Sequence, residues 1–184
     1  MERDGERDRG RGGQRGRRLF FALWPPAVIA DRILALPERF GIRGRVTRRE
    51  RLHLTVLFLG DVPATAESNL VRGLPRSIPT GPVDLTLDTL GGFARAGVWW
   101  LGPSVVPRAL NDLHATLVDA AAVAGIAVER RPFRPHVTLA RRSRPGPETS
   151  VDAIRWRADE LTLVASVDTG GRAAYRVCSR WPLG

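Results

Sequence analysis

The sequence predicts an α+β fold made of a duplicated unit with largely antiparallel sheets. Three observations carry that prediction. Short apolar runs that read as strands are interspersed with a few stretches of helical spacing. A His-x-Thr unit occurs twice in closely matching apolar surroundings, at Leu52-His53-Leu54-Thr55-Val56-Leu57-Phe58-Leu59-Gly60 and at His136-Val137-Thr138-Leu139-Ala140-Arg141. Each of those runs precedes what reads as a helix followed by two strands, so the two halves share an order of elements and an approximate two-fold relation.

Taken in order, residues 1–17 form an Arg-rich tail whose first sixteen positions alternate Arg, Asp, Glu and Gly. Such a segment has no apolar surface to bury and is expected to be disordered. The remaining residues, 18–184, are expected to form a single domain. Arg18 to Trp24 is a short apolar, aromatic-rich run ended by Pro25-Pro26 and reads as a buried strand. Ala27 to Phe40 carries apolar residues at 29, 33, 34 and 36 with proline at its start, which predicts a helix stopped by Gly41 and Gly44. Leu52 to Leu59 is a strand interrupted only by His53 and Thr55. Thr65 to Arg72 reads as a second helix, and Val83 to Leu87 alternates as a strand buried on one face. Gly91-Gly92 suggests a bulge or turn before a strand at Val98 to Leu101. Between Val105 and Gly125, Leu110, Leu113, Leu117, Val118 and Ala121 recur at helical spacing and Gly125 supplies a stop. A strand at His136 to Ala140, a loop at Pro145 to Pro147, a short helix at Glu148 to Trp156 and strands at Glu160 to Val167 and Ala174 to Arg180 complete the chain, the last two joined at Gly170-Gly171.

Composition narrows the function. Hydrophobic residues make up 43% of 184 and charged residues 26%, ordinary for a globular domain, and no apolar run reaches the roughly 18 residues of a membrane span. A cytoplasmic, metal-free monomer is expected. The lone Cys178 excludes an intramolecular disulfide and a cysteine metal site, and it reads as a small residue in a strand. The net charge of +10 comes from 29 basic residues, all arginine, against 19 acidic ones. Arginine's planar fork of donors suits phosphate, so a polyanionic partner such as RNA fits the excess.

The chemistry lies in the two repeated units. Residues two apart on a strand project from one face, which would set His53 beside Thr55 and His136 beside Thr138. Two such units across a shared cleft offer a phosphate two hydroxyl donors and two imidazoles on opposite sides. One neutral imidazole can take a proton from an incoming nucleophile while the other, protonated, gives one to the departing oxygen. No metal or cofactor is required. With eleven threonines in the chain, a given histidine meets this spacing by chance roughly one time in 17, so a single copy carries little weight. The third histidine makes the point, since His114-Ala115-Thr116 has the pattern inside the predicted helix, where positions two apart point about 200° away from each other. His114 is therefore expected on a helix surface or in a groove and outside the proton transfers.

At these residues the sequence resembles the two-histidine phosphoesterase superfamily, and within it the RNA 2′,3′-cyclic phosphodiesterases, also called 2′-5′ RNA ligases. The likeness runs through Arg18-Leu19-Phe20-Phe21-Ala22-Leu23, the two motif runs, Pro132-Phe133-Arg134-Pro135 before the second, and Tyr175-Arg176-Val177-Cys178-Ser179-Arg180-Trp181-Pro182-Leu183. It implies a bilobal fold around a central basic cleft, with helices on the outer faces, and opening of a terminal 2′,3′-cyclic phosphate on RNA to a 2′-phosphate. It further implies that His53 is the proton donor, His136 the acceptor, Thr55 and Thr138 phosphate-holding hydroxyls and Arg141 a phosphate contact. Ligation to a 2′-5′ linkage is the same chemistry with an RNA 5′-hydroxyl replacing water. Arg51 stands where many relatives carry an uncharged residue such as Asn. Two other readings stay open from sequence: the same site acting on a small nucleotide, such as an ADP-ribose cyclic phosphate or a 2′-5′ oligoadenylate, or a basic RNA-binding module without turnover.

Overall fold

A computed structural model of the chain describes residues 16–129, 131–168 and 173–184. The expectations for residues 1–15 of the tail and for the Gly170-Gly171 joint lie outside those residues. The first strand starts one residue before the expected domain boundary. This strand, β1, Arg17–Leu23, buries every side chain from Leu19 to Leu23. Pro25-Pro26 ends it, and the Pro26 carbonyl accepts the first amides of α1, Ala27–Arg39. Strand β2, Arg45–Val46, and a 3-10 turn at Arg49–Arg51 lead to β3, Leu54–Val62. Helix α2 is Ala64–Gly73, followed by β4, Val83–Phe93, and β5, Val98–Gly102. Helix α3, Arg108–Val123, buries Leu110, Leu113, Leu117 and Ala121, the stripe its spacing predicts. Strands β6, Val137–Arg141, β7, Thr149–Ala158, β8, Glu160–Asp168, and β9, Ala173–Pro182, close the chain.

All nine strands join one sheet, in the order β7-β4-β5-β6-β3-β1-β8-β9 with β2 alongside β6. Among the described residues every pairing between these strands is antiparallel. The two motif strands β3 and β6 sit at the centre, each with three strands beyond it, and they pair at a single position, Leu54 with Val137. The α+β, antiparallel expectation therefore describes the architecture. The duplicated unit is shorter than the sequence order suggests: it is strand, helix, motif strand, as β1-α1-β3 and β5-α3-β6. Each helix crosses to the opposite half, α1 packing on β6 and β7, and α3 on β3 and α2.

Two local readings are corrected. The segment expected as a helix at Glu148 to Trp156 is taken up by strand β7, Thr149–Ala158, because Ile154, Trp156 and Ala158 are buried while Arg155 and Arg157 are exposed, a period of two that only a strand can satisfy. Gly91 and Gly92 form no turn but lie within β4, opposite Trp100 and Trp99. A Cβ at Gly91 would collide with the Trp100 ring, and one at Gly92 with the Pro145 side chain, so close approach explains both glycines. The irregularity between β4 and β7 lies instead where Asp88, between the pairs made by Leu87 and Thr89, faces three residues of β7, 151–153, so the extra residues belong to β7.

Candidate active site

His53 and His136 do not lie inside the strands, as the spacing alone suggests; each is the residue immediately before one. The placement has a local cause. The Nδ1 atom of His53 bonds the Arg51 carbonyl at 2.7 Å, and Nδ1 of His136 bonds the Arg134 carbonyl at 2.7 Å. A carbonyl can only accept, so Nδ1 carries the hydrogen in both rings and Nε2 is the nitrogen left to exchange protons.

The Leu54 to Val137 pair sets the rest of the geometry. Both side chains are fully buried on the core face of the sheet. Their neighbours His53, Thr55, His136 and Thr138 alternate to the other face, where all four are only part-buried. Extending the antiparallel register one residue to either side of that pair points His53 toward Thr138 and Thr55 toward His136. On such a ladder diagonal neighbours stand about 7–8 Å apart, which leaves room for one phosphate between the two imidazoles. Arg141, at the end of β6, has an exposed side chain. Its charge bears on both histidines. The structure thus gathers all five residues expected from the sequence at the centre of the sheet.

Aromatic side chains that sequence reading did not single out enclose the rings. His53 packs against Phe20 and Trp24, each with ring centroids 5.1 Å away, and edge-on against Tyr175 at 5.3 Å. The Arg51 guanidinium lies 4.7 Å over the Tyr175 ring. His136 packs against Phe93 at 5.1 Å and Trp100 at 6.3 Å. Burial behind these rings pushes the His53 imidazole down to about 4; its carbonyl bond opposes the shift, and the charges of Arg141, His136 and Arg51 add to it. His136 is also lowered, by burial first, against its own carbonyl bond and with help from Arg141. In the free protein at neutral pH both are neutral bases. An anion seated between them favours the imidazolium form, so the proton an acid needs is loaded together with the anion.

Among the described residues no group of three His, Cys, Asp or Glu side chains gathers to hold a metal, and no helix is long and apolar enough to cross a membrane. Cys178 lies in β9, its Sγ 3.7 Å from the Arg176 carbonyl.

Known proteins resemble the chain over most of its length. The model of the 2′-5′ RNA ligase superfamily matches residues 25–170. The RNA 2′,3′-cyclic phosphodiesterase of Escherichia coli (strain K12) is 37% identical over 174 residues, covering 90% of this chain and 96% of the relative. That of Methanocaldococcus jannaschii is 26% identical over 178 residues, covering 89% and 99%. Among solved structures, E. coli LigT complexed with 3′-AMP superposes with a TM-score of 0.80 at 34% identity, covering 91% of this chain and 98% of that one. TT0787 of Thermus thermophilus gives 0.76 at 25% identity, with 90% and 97% covered.

Proposed function

The chain belongs to the 2′-5′ RNA ligase superfamily, and from that premise we propose that residues 18–184 act as one RNA 2′,3′-cyclic phosphodiesterase domain. The observation that carries the reading furthest is the antiparallel juxtaposition of two His-x-Thr units on one face, each histidine with Nδ1 anchored and Nε2 free. The cyclic phosphate sits between the imidazoles, its non-bridging oxygens held by the Thr55 and Thr138 hydroxyls and by Arg141. Nε2 of His136 takes a proton from water as the water oxygen bonds to phosphorus. The bond from phosphorus to the ribose 3′ oxygen breaks, and Nε2 of His53 protonates that oxygen, leaving a 2′-phosphate and a 3′-hydroxyl. The hydroxyls and the guanidinium offset charge that grows on the non-bridging oxygens. With an RNA 5′-hydroxyl in place of water the same steps form a 2′-5′ linkage.

The test is to incubate the purified protein, with EDTA present, with an RNA ending in a 2′,3′-cyclic phosphate and to identify the product. A terminal 2′-phosphate is expected, with turnover falling on the order of 10²- to 10⁴-fold in both His53→Ala and His136→Ala. Full turnover in either variant overturns the mechanism. Turnover of an ADP-ribose cyclic phosphate or a 2′-5′ oligoadenylate without turnover of RNA overturns the substrate class. RNA binding should weaken steeply as salt is raised, and a flat response argues against a phosphate-dominated contact.

A further inference from the structure

His114 is the one histidine left outside the proton transfers, yet its ring joins the frames of both motifs. It projects from α3, and its Nδ1 bonds the Val56 carbonyl of β3 at 2.8 Å. Its ring also stacks on Phe133, with centroids 4.2 Å apart and planes within 5°. Both partners occupy particular places. Phe133 belongs to the segment Arg131-Pro132-Phe133-Arg134-Pro135 that delivers His136, and the next residue, Arg134, supplies the carbonyl that anchors the His136 ring.

Val56 is the odd residue of a bulge. Along the β1–β3 ladder Phe21 pairs with Leu57 and Ala22 with Thr55, which leaves Val56 without an opposite number. The second motif repeats this. Along the β5–β6 ladder Trp99 pairs with Ala140 and Trp100 with Thr138, which leaves Leu139 unmatched. Each bulge stands three residues after its histidine and directly after its threonine. Each bulge carbonyl is also held by a donor from outside its ladder: Leu139 by the backbone amide of Thr47 at 2.8 Å, Val56 by His114. A bulge bends its strand and re-aims the neighbouring side chain, so the group that holds it helps to fix where the threonine hydroxyl points.

We propose that His114 is a positioning residue for this reaction, fixing the bulge that aims Thr55 and, through Phe133, tying that aim to the segment carrying His136. It touches no substrate. The proposal rests on the reading of His53 and His136 as the reacting pair. It explains why a half-buried imidazole occupies a helix face otherwise filled by leucine and alanine: the site takes a donor and a flat ring in one side chain.

Three variants separate the two contacts. His114→Asn keeps an N–H near the Nδ1 position without the ring, His114→Phe keeps a ring for Phe133 without the donor, and His114→Ala keeps neither. Steady-state turnover of the cyclic-phosphate RNA should show kcat of His114→Ala reduced on the order of ten- to a hundredfold with KM within about twofold, as expected when oriented groups shift by a fraction of an ångström. His114→Asn and His114→Phe should each recover part of that loss. An assay-independent readout is the imidazole nitrogen resonances of His53 and His136 in 15N-labelled protein, where both should move in His114→Ala. Wild-type kcat in folded His114→Ala, or unmoved resonances for both rings, overturns the proposal. If His114→Ala does not fold, unchanged kcat and unmoved resonances in both His114→Asn and His114→Phe overturn it equally. An inactive wild type would fault the proposed function instead, and the resonances would still judge His114.

Discussion

Replacing His53 by asparagine should change how stability depends on pH, by an amount that follows from the ring's surroundings. The imidazole is held at about 4 in the folded protein, chiefly by burial behind Phe20, Trp24 and Tyr175. In the unfolded chain it titrates near 6.5. Because the folded value is the lower one, the unfolded chain binds the extra proton first as pH falls. Stability is therefore fully present above about pH 6.5 and is lost progressively down to about pH 4. Linkage puts the loss at about 2 kcal/mol by pH 5 and about 3 kcal/mol by pH 4, relative to pH 7. The introduced asparagine has no proton to take up, while its amide can still reach the Arg51 carbonyl. Urea unfolding of the wild type and His53→Asn at intervals between pH 7.5 and 4 should show the stability difference swinging toward the variant by that amount, with contributions from other titrating groups cancelling between the two proteins. Inorganic phosphate, an anion for the same face, should shrink the swing by favouring the imidazolium. A difference that stays flat to within about 0.5 kcal/mol across this range, against the ~3 kcal/mol expected by linkage, would show that His53 is not held neutral by its aromatic enclosure.

Two further outcomes test the neighbourhood of Arg141. Its charge lowers both histidines, so Arg141→Met should move the pH-rate profile upward as well as weaken kcat/KM by roughly ten- to a hundredfold; a weakened enzyme with an unmoved profile would place the guanidinium away from the rings. Gly44 has φ +114°, and a Cβ there would stand 2.7 Å from the Arg141 carbonyl oxygen and 3.0 Å from that of Arg142. Gly44→Ala should cost about 1–3 kcal/mol in thermal unfolding and lower turnover by displacing the Arg141 backbone, whereas Gly73→Ala, with nothing within 4 Å of its new methyl, should be close to neutral.

Local pattern made most elements legible and hid those that depend on distant partners. The stripe of α3 and the apolar runs of β1, β3 and β6 could be read because a period of 3.6 or 2 is written in neighbouring residues. The strand at Thr149–Ala158 was equally legible in Ile154-Arg155-Trp156-Arg157-Ala158, but Val151 and Ala153 before it fall out of phase with Ile154 and obscured the period. The aromatic enclosure was hidden for another reason. Leu19, Phe21 and Leu23 pack into the main core, while Phe20 and Ala22 form a second cluster with Val164 on the site's side of the sheet. A run buried on both faces shows no alternation, so Phe20 reads as core. Nor does sequence order reveal that α1 and α3 cross to opposite halves, or that His114 meets a carbonyl 58 positions away.

The proposed division of labour between the histidines has to be reconciled with what the near-symmetry leaves unequal. Both rings are anchored alike, both precede a threonine and a bulge, and both feel Arg141. They differ in enclosure: His53 has three aromatic neighbours and the charges of Arg51 and His136 besides, whereas His136 has two aromatic neighbours. A donor held at about 4 is protonated only about once in a thousand molecules at pH 7. If His53 is the acid of hydrolysis, the bound phosphate anion must supply most of its proton affinity, and the pair then shares a single proton over the substrate rather than titrating as two independent groups. The 3′ oxygen departs with the proton from His53, and the proton taken from water is then on His136. Reversal exchanges the roles, His136 giving its proton to the departing oxygen while His53 takes one from the 3′-hydroxyl, and one framework can therefore serve water and an RNA hydroxyl with the same four side chains.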